Sequence, residues 1–313
     1  MFGYVIRRMV SAIIVMAMVG AFVFLLLRLA PGDPATILAG DNATPQQITE
    51  IRQRLGLDKP LPLQFVQWAG QIVRGDFGES IASGQPVMKL IAQRAEPTAS
   101  LALLTICVAV ILAVSAGIIA AARRGTWLDQ IIMFFSVVGF SMPSFVVGYL
   151  LIYVFSMQLQ WLPIQGYTPL SSGVVPWIKS LILPTASLGL VYVALIARIT
   201  RASMIETLAE DYIRTAKAKG AAESSILLGH ALRNVGVPVV TVIGTGFALL
   251  IGGVVVTETV FNIPGIGRLV VDSIAQRDYP IVQGTILLFS GVYVMLNMLI
   301  DVSYGFLDPR IRR

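Results

Sequence analysis

Apolar positions in this chain come in long uncharged runs, not in the alternating or three-to-four-residue patterns of half-buried strands and surface helices. Crossing about 30 Å of hydrocarbon takes about 20 residues of helix. Six runs meet that length: 9–27, between Arg8 and Arg28; 97–122, between Glu96 and Arg123; about 130–156; 180–197; about 234–257; and 279–300. The third lies in a longer uncharged stretch whose far half is broken by Pro163, Gly166, Pro169 and Ser171-Ser172-Gly173, which reads as a loop. Backbone polar groups in lipid must be satisfied within the segment, so the six runs predict helices. Arg7 and Arg8 ahead of the first run resemble the basic start of a signal peptide. The run is longer than a typical signal core and five more follow, so it is read as an uncleaved first transmembrane helix.

Composition agrees. The chain has 313 residues, 56% of them hydrophobic and 13% charged, too few charges to coat a soluble protein of this length. The fold class expected is therefore an all-α integral membrane protein with six transmembrane helices. One cysteine, Cys107, excludes an internal disulfide, and in its apolar run it reads as a small buried hydrophobe. With one histidine, His230, a His-rich metal site and an HExxH motif are excluded, and no cofactor site is expected.

The net charge of +6 suggests nucleic acid in a soluble protein, but here its distribution matters more. With the N-terminus inside, the inner segments carry thirteen Lys and Arg against seven acids, and the outer segments are neutral. The whole excess lies on one side, as the positive-inside bias predicts, so the charge reports topology and not nucleic acid. Both termini are expected in the cytoplasm. The domains read as an N-terminal helix over 1–30, an external helical segment over 31–96, a core of helices over 97–306 with a cytoplasmic loop at 202–236, and a cytoplasmic tail over 307–313.

The external segment opens with Pro31-Gly32-Asp33-Pro34, a tight break. Thr44 fits an N-cap, Pro45 the first helical position and Gly56 a left-handed end. A second helix is predicted over 62–73, with Leu63, Val66, Gln67, Ala69 and Ile72 near one face and Trp68 as an interfacial anchor. This small helical unit suits a cap over the bundle mouth or a docking surface for an external partner.

The internal loop carries more information. Asp211 is expected to cap a short helix over 212–219, with acids at its start and Lys217 and Lys219 at its end, matching the helix dipole. Gly220 supplies a left-handed turn. A second helix follows over 222–234, striped by Leu227, Leu228 and Leu232, and Pro238 marks entry to the fifth span. Ala216 and Ala218 keep the first helix slim enough for a groove. An ordinary solvated basic loop has the same composition.

At these residues the chain resembles the permease subunits of binding-protein-dependent ABC importers. Their coupling loop reads Glu-Ala-Ala, three residues, Gly, nine residues, Ile-x-Leu-Pro. Here Arg214-Thr215-Ala216 stands at the first element, Gly220 follows at the right spacing, and His230, Leu232 and Arg233 occupy the last. Ala216, Gly220 and Leu232 match, whereas Arg214, His230 and Arg233 depart toward the oligopeptide/dipeptide/nickel branch. Pro31-Gly32-Asp33-Pro34, Leu55-Gly56-Leu57-Asp58, Gly75-Asp76-Phe77-Gly78, Ser141-Met142-Pro143, Trp161-Leu162-Pro163, the run from Phe261 through Asn262-Ile263-Pro264-Gly265-Ile266 to Gly267, Arg277-Asp278-Tyr279-Pro280 and Asp308-Pro309-Arg310 agree with that branch.

The resemblance implies a type I ABC importer permease fold and a location in the cell inner membrane. It also implies two cytoplasmic ATPase subunits, a second homologous permease, an external periplasmic solute-binding protein and a peptide substrate. Glutathione and nickel complexes are alternative cargoes within the branch. The ATPase-coupling residues it implies are Tyr212, Arg214, Thr215, Ala216, Lys217, Lys219, Gly220, His230, Leu232 and Arg233. No residue of this chain is expected to be catalytic, because GxxxxGK[ST] is absent and ATP hydrolysis then falls to a partner.

The residues add their own constraints. The assigned spans hold no ionisable side chain, which argues against a secondary carrier working through buried carboxylates. The lack of any catalytic constellation argues against a membrane enzyme. Gly244-Thr245-Gly246, Gly252-Gly253 and Gly265-Ile266-Gly267 read as close helix packing, not phosphate binding. Pro143 admits either a bend or tolerated packing, the second being favoured. Trp161 and Trp177 read as interfacial anchors. Glu258, Arg268, Asp272, Arg277 and Asp278 read as a solvated salt-bridge network, as an external gate or as a contact for the binding protein.

Overall fold

The computed structural model describes residues 2–29, 35–36, 44–54 and 56–307. The break at 31–34, Leu55 and the motif at 308–310 lie outside them. The named elements among the described residues are helical: α1 (Phe2–Leu29), α2 (Pro45–Arg54), α3 (Leu61–Val73), α4 (Val87–Ala122), α5 (Trp127–Ser141), α6 (Ser144–Leu151), α7 (Val174–Leu208), α8 (Asp211–Ala218), α9 (Leu232–Val260), α10 (Ile266–Ala275) and α11 (Tyr279–Leu307). Wide π-helical turns extend α6 over Ile152–Gln158 and precede α9 over Ser225–Ala231.

Five helices are long and apolar enough to cross a membrane, and α5 with α6 makes a sixth span if the bent pair counts as one. The expectation of a single third helix with Pro143 tolerated inside it is corrected. The two halves meet at 105°. Met142 is extended at φ −89°, ψ 128°, as a residue before proline prefers, and Pro143 opens α6. By contrast Pro97, Pro184 and Pro238 stay inside continuous helices. Neighbouring helices in a membrane protein can compensate the hydrogen bond that each proline removes.

The chain divides into two compact units. One comprises Met1–Val5, Arg94–Arg268 and Met295–Arg313. Its centre is α7, where 67% of the most apolar window is buried, against 11% to 28% in the other candidate spans. Leu181, Leu188, Tyr192 and Ile196 of α7 pack with Leu101 and Ala109 of α4 and with Leu250 and Val254 of α9. The glycines do what close packing requires. A Cβ on Gly246 would meet the Tyr192 ring at 3.2 Å, and one on Gly253 would meet Leu188 at 2.5 Å. Tyr192 also donates its hydroxyl to the Gly246 carbonyl at 2.7 Å. Across α4 and α7 the fit is tightest at Gly117, whose added Cβ would lie 2.6 Å from Thr200 Cβ and 2.8 Å from the Ala197 carbonyl. Cys107, expected to be buried, is exposed on α4, because the outward face of a lipid-embedded helix is itself apolar. Trp161 is exposed, whereas Trp177 turns partly onto the core.

The second unit comprises Ile6–Gln93 and Leu269–Val294. Its α2 starts with a reciprocal capping box: the Thr44 N–H donates to Gln47 Oε1 at 2.9 Å, and the Gln47 N–H donates to Thr44 Oγ1 at 3.3 Å. In α3 the expected buried face is wrong. Leu63 and Val66 are exposed, Gln64 is buried, and Trp68 faces Phe24 and Phe65 at 5.5 and 6.1 Å between ring centroids. The aromatic cluster with α1 outweighs the aliphatic stripe, since two rings bury more area than isolated aliphatic side chains.

Two residues of the expected solvated network at the last outer loop are not solvated. Glu258 and Asp278 are buried, at 0% and 1% exposure, and neutral donors hold both. Asp278, in the second unit, accepts from Ser80 Oγ and from the N–H groups of Ile81 and Ala82. Glu258, in the first, accepts from Thr98 Oγ1 at 2.6 Å and from the Arg268 N–H at 2.9 Å, and Gly265 and Gly267 leave room for its carboxylate.

Gly117→Ala should overpack the α4–α7 crossing and destabilise the protein by about 1–3 kcal/mol. Gly252→Ala, where nothing lies within 4 Å, serves as control. Thermal unfolding in detergent should show a lowered midpoint for the first substitution only; equal midpoints would mean that the two helices do not approach this closely.

Candidate coupling site

The candidate site is a hairpin at one end of α7. α8 follows α7 after a two-residue link, and Glu210 takes the N-cap position without a side-chain cap bond. Asp211, expected as the cap, is instead the first helical residue, where its charge still favours the helix N-terminus. Lys217 lies in the last turn. Gly220 is left-handed at φ +79°, and its N–H reaches the Lys217 carbonyl at 3.0 Å while the Ala221 N–H reaches Ala216 at 3.2 Å. These two bonds form a Schellman end, which requires a left-handed residue at Gly220.

One side chain of α8 is buried. Ile213, at 0% exposure, packs with Ala121 of α4, Met204 of α7, Ile226 of the π turn, and Ala231, Val235 and Val239. Both flanks of the hairpin and two other helices therefore meet in one buried aliphatic cluster. A second tie is polar: Asn234 Nδ2 donates to the Tyr212 hydroxyl at 2.7 Å and to the His230 carbonyl at 3.1 Å.

The residues singled out from the sequence distribute around this anchor. Tyr212, Arg214, Thr215, Lys217, Lys219, Gly220, His230 and Arg233 are exposed, and Ala216 and Leu232 are half-buried. Tyr212 and His230 are brought together through Asn234. The Arg214–Asp211 pair at 3.4 Å is a fully solvated contact within one helix turn and adds little. Two expectations fail. The second helix does not end at Asn234; it runs through a π turn into α9. Its buried stripe is Ile226, Ala231 and Val235, with Leu228 exposed, because the wider turn shifts the register of the face.

Sequence reasoning did not single out Ile213 and Asn234, the residues that tie the hairpin down. Ile213 is the only aliphatic side chain larger than Ala in α8, which was the available signal. No three His, Cys, Asp or Glu side chains gather as a metal site among the described residues.

The family described as the binding-protein-dependent transport system inner membrane component matches residues 113–313, and its N-terminal counterpart matches residues 1–102. The chain belongs to this family. A probable peptide ABC transporter permease of Sinorhizobium fredii is 58% identical over 309 residues, 99% of each chain. A glutathione transport system permease of Escherichia coli (strain K12) is 46% identical over 312 residues, covering 100% of this chain and 99% of that one. A crystal structure of an amino acid ABC transporter matches with a TM-score of 0.50 at 17% identity, over 69% of this chain and 92% of that one.

This permease therefore has the type I ABC importer fold and is a membrane subunit of an ABC importer, a class that works with ATPase and substrate-binding partners.

Truncating Ile213 to Ala should open a cavity under α8 and loosen the hairpin by about 2–5 kcal/mol. Hydrogen exchange in nanodiscs should quicken over 211–235 and stay unchanged in α7. Unaltered protection of the hairpin would mean that Ile213 does not anchor it.

Proposed function

We propose that this permease forms one half of the path of an ATP-driven peptide importer in the cell inner membrane, with both termini cytoplasmic. A second homologous permease forms the other half. An external solute-binding protein delivers the peptide, and two cytoplasmic ATPase subunits hydrolyse ATP, the chain itself having no ATPase site. The helical segment over 31–96 lies outside the membrane in this reading. The observation that carries the peptide assignment is the 58% identity, over 99% of both chains, to a protein named as a peptide permease. Glutathione, itself a peptide, is the second reading, favoured by the 46% identity to a glutathione permease.

α8 inserts into a groove of one ATPase subunit. Tyr212, Arg214, Thr215, Ala216, Lys217 and Lys219 face the partner, and Gly220 sets the angle at which the hairpin returns. His230, Leu232 and Arg233 border the base of the helix. Closure of the ATPase pair moves α8, and the Ile213 cluster passes that motion to α4, α7 and α9 as rigid bodies, because a packed contact has discrete arrangements and does not deform continuously.

The test is reconstitution in proteoliposomes with the cognate ATPases and binding protein. Uptake of labelled di- and tripeptides is expected, with neither uptake nor ATP hydrolysis by the permease alone. Uptake of glutathione with no peptide uptake would move the assignment to the second reading. In the same vesicles a Lys219→Cys variant should cross-link to an ATPase subunit, and failure to do so in any nucleotide state would remove α8 from the interface.

Gly220→Val should reduce uptake to near background while membrane insertion persists. No atom lies within 4 Å of the site of a Cβ on Gly220, so the cost is backbone strain of about 1–2 kcal/mol per left-handed residue and not a clash. Wild-type uptake by this variant would refute the role given to the turn.

A further inference from the structure

The coupling hairpin accounts for α4, α7 and α9 but touches neither α5 nor α6 through its buried cluster. Those two helices form the broken span, bent by 105° at Met142-Pro143. Three residues before Met204, the α7 member of that cluster, stands Arg201. Its Nε and Nη2 donate to the two carboxylate oxygens of Asp129 at 2.5 and 2.7 Å. Asp129 lies in the first turn of α5, is 4% exposed, and also accepts the Gly125 N–H at 3.0 Å. Between Arg201 and Ala197, Thr200 is fully buried and abuts Gly117.

We propose that the Arg201–Asp129 pair is a strut that carries the motion of the coupling hairpin from α7 to α5, and so to the broken span. A planar guanidinium fork on a carboxylate fixes both distance and orientation, so a displacement of α7 at Arg201 is imposed on the first turn of α5. Met204 and Arg201 lie nearly one turn apart on the same helix, which puts the input from α8 and the output to α5 on one rigid lever. Asp129 and Arg201 are thus positioning residues for coupling. They meet neither the ATPase nor the cargo in this scheme, and the inference rests on the reading of α8 as the ATPase-docking helix.

The experiment uses the complete transporter in proteoliposomes and the binding protein as purified from its native periplasm with the cargo it carries. The readout is the ratio of ATP hydrolysis with the binding protein to hydrolysis without it. Arg201→Lys keeps the charge and loses the fork; Asp129→Asn keeps the shape and loses the charge. Both are expected to lower the ratio about tenfold, a size typical of coupling between two sites, with basal hydrolysis and the amount of assembled complex unchanged. A wild-type ratio in Arg201→Lys would overturn the strut, as would basal and stimulated rates falling in parallel with assembly. If Asp129→Asn does not assemble, the Arg201→Lys ratio alone decides. Absence of the Lys219→Cys cross-link overturns the docking of α8, whereas an intact cross-link with an unchanged ratio overturns the strut alone.

Discussion

The burial of Ile213 is the contact that ties α8 to the spans of this permease. α8 is a short, mostly polar helix of eight residues, too short to hold together in water on its own. It persists because Ile213 is buried in an aliphatic cluster with Ala121, Met204, Ile226, Ala231, Val235 and Val239. The exposed Lys, Arg and Thr side chains can be presented to a partner only because that contact ties the helix to the spans.

The spans obey a different constraint. In lipid the outward faces of helices gain nothing by turning inward, so close backbone approach and a few polar contacts decide the arrangement. Gly117 against Thr200, Gly246 under Tyr192 and Gly253 under Leu188 bring α4 and α9 onto α7. A glycine with open space, such as Gly252, sits beside one with none, so the composition of a glycine-rich stretch does not tell which residue is the contact. The same logic explains the carboxylates. Glu258 and Asp278 are tolerated in the interior because hydroxyl and backbone N–H donors satisfy each.

Much of the fold was legible in the pattern of residues. Five of the six spans appear where long uncharged runs lie, with helices extending beyond them on polar ends. The N-cap at Thr44 and the left-handed turn at Gly220 were also readable, since each depends on a few neighbouring residues. The errors share a cause. Pro143 breaks a helix while Pro97, Pro184 and Pro238 do not, and nothing in the neighbouring letters tells the four apart. The faces of α3 and of the π turn were misassigned because an aromatic cluster with α1 and a local change of helical pitch reset which side chains point inward.

What the sequence determined by itself was the solvent of each segment: hydrophobic length and the charges that flank it dictate which stretches meet lipid, and a glycine dictates where a left-handed turn is cheap. Tertiary structure alone decided which residues join one element to another. Ile213, Arg201 and Asp129 are ordinary letters in the chain. Their importance arises from partners 72 residues away in the case of the ion pair, and such proximity depends on how helices cross, which no local pattern encodes.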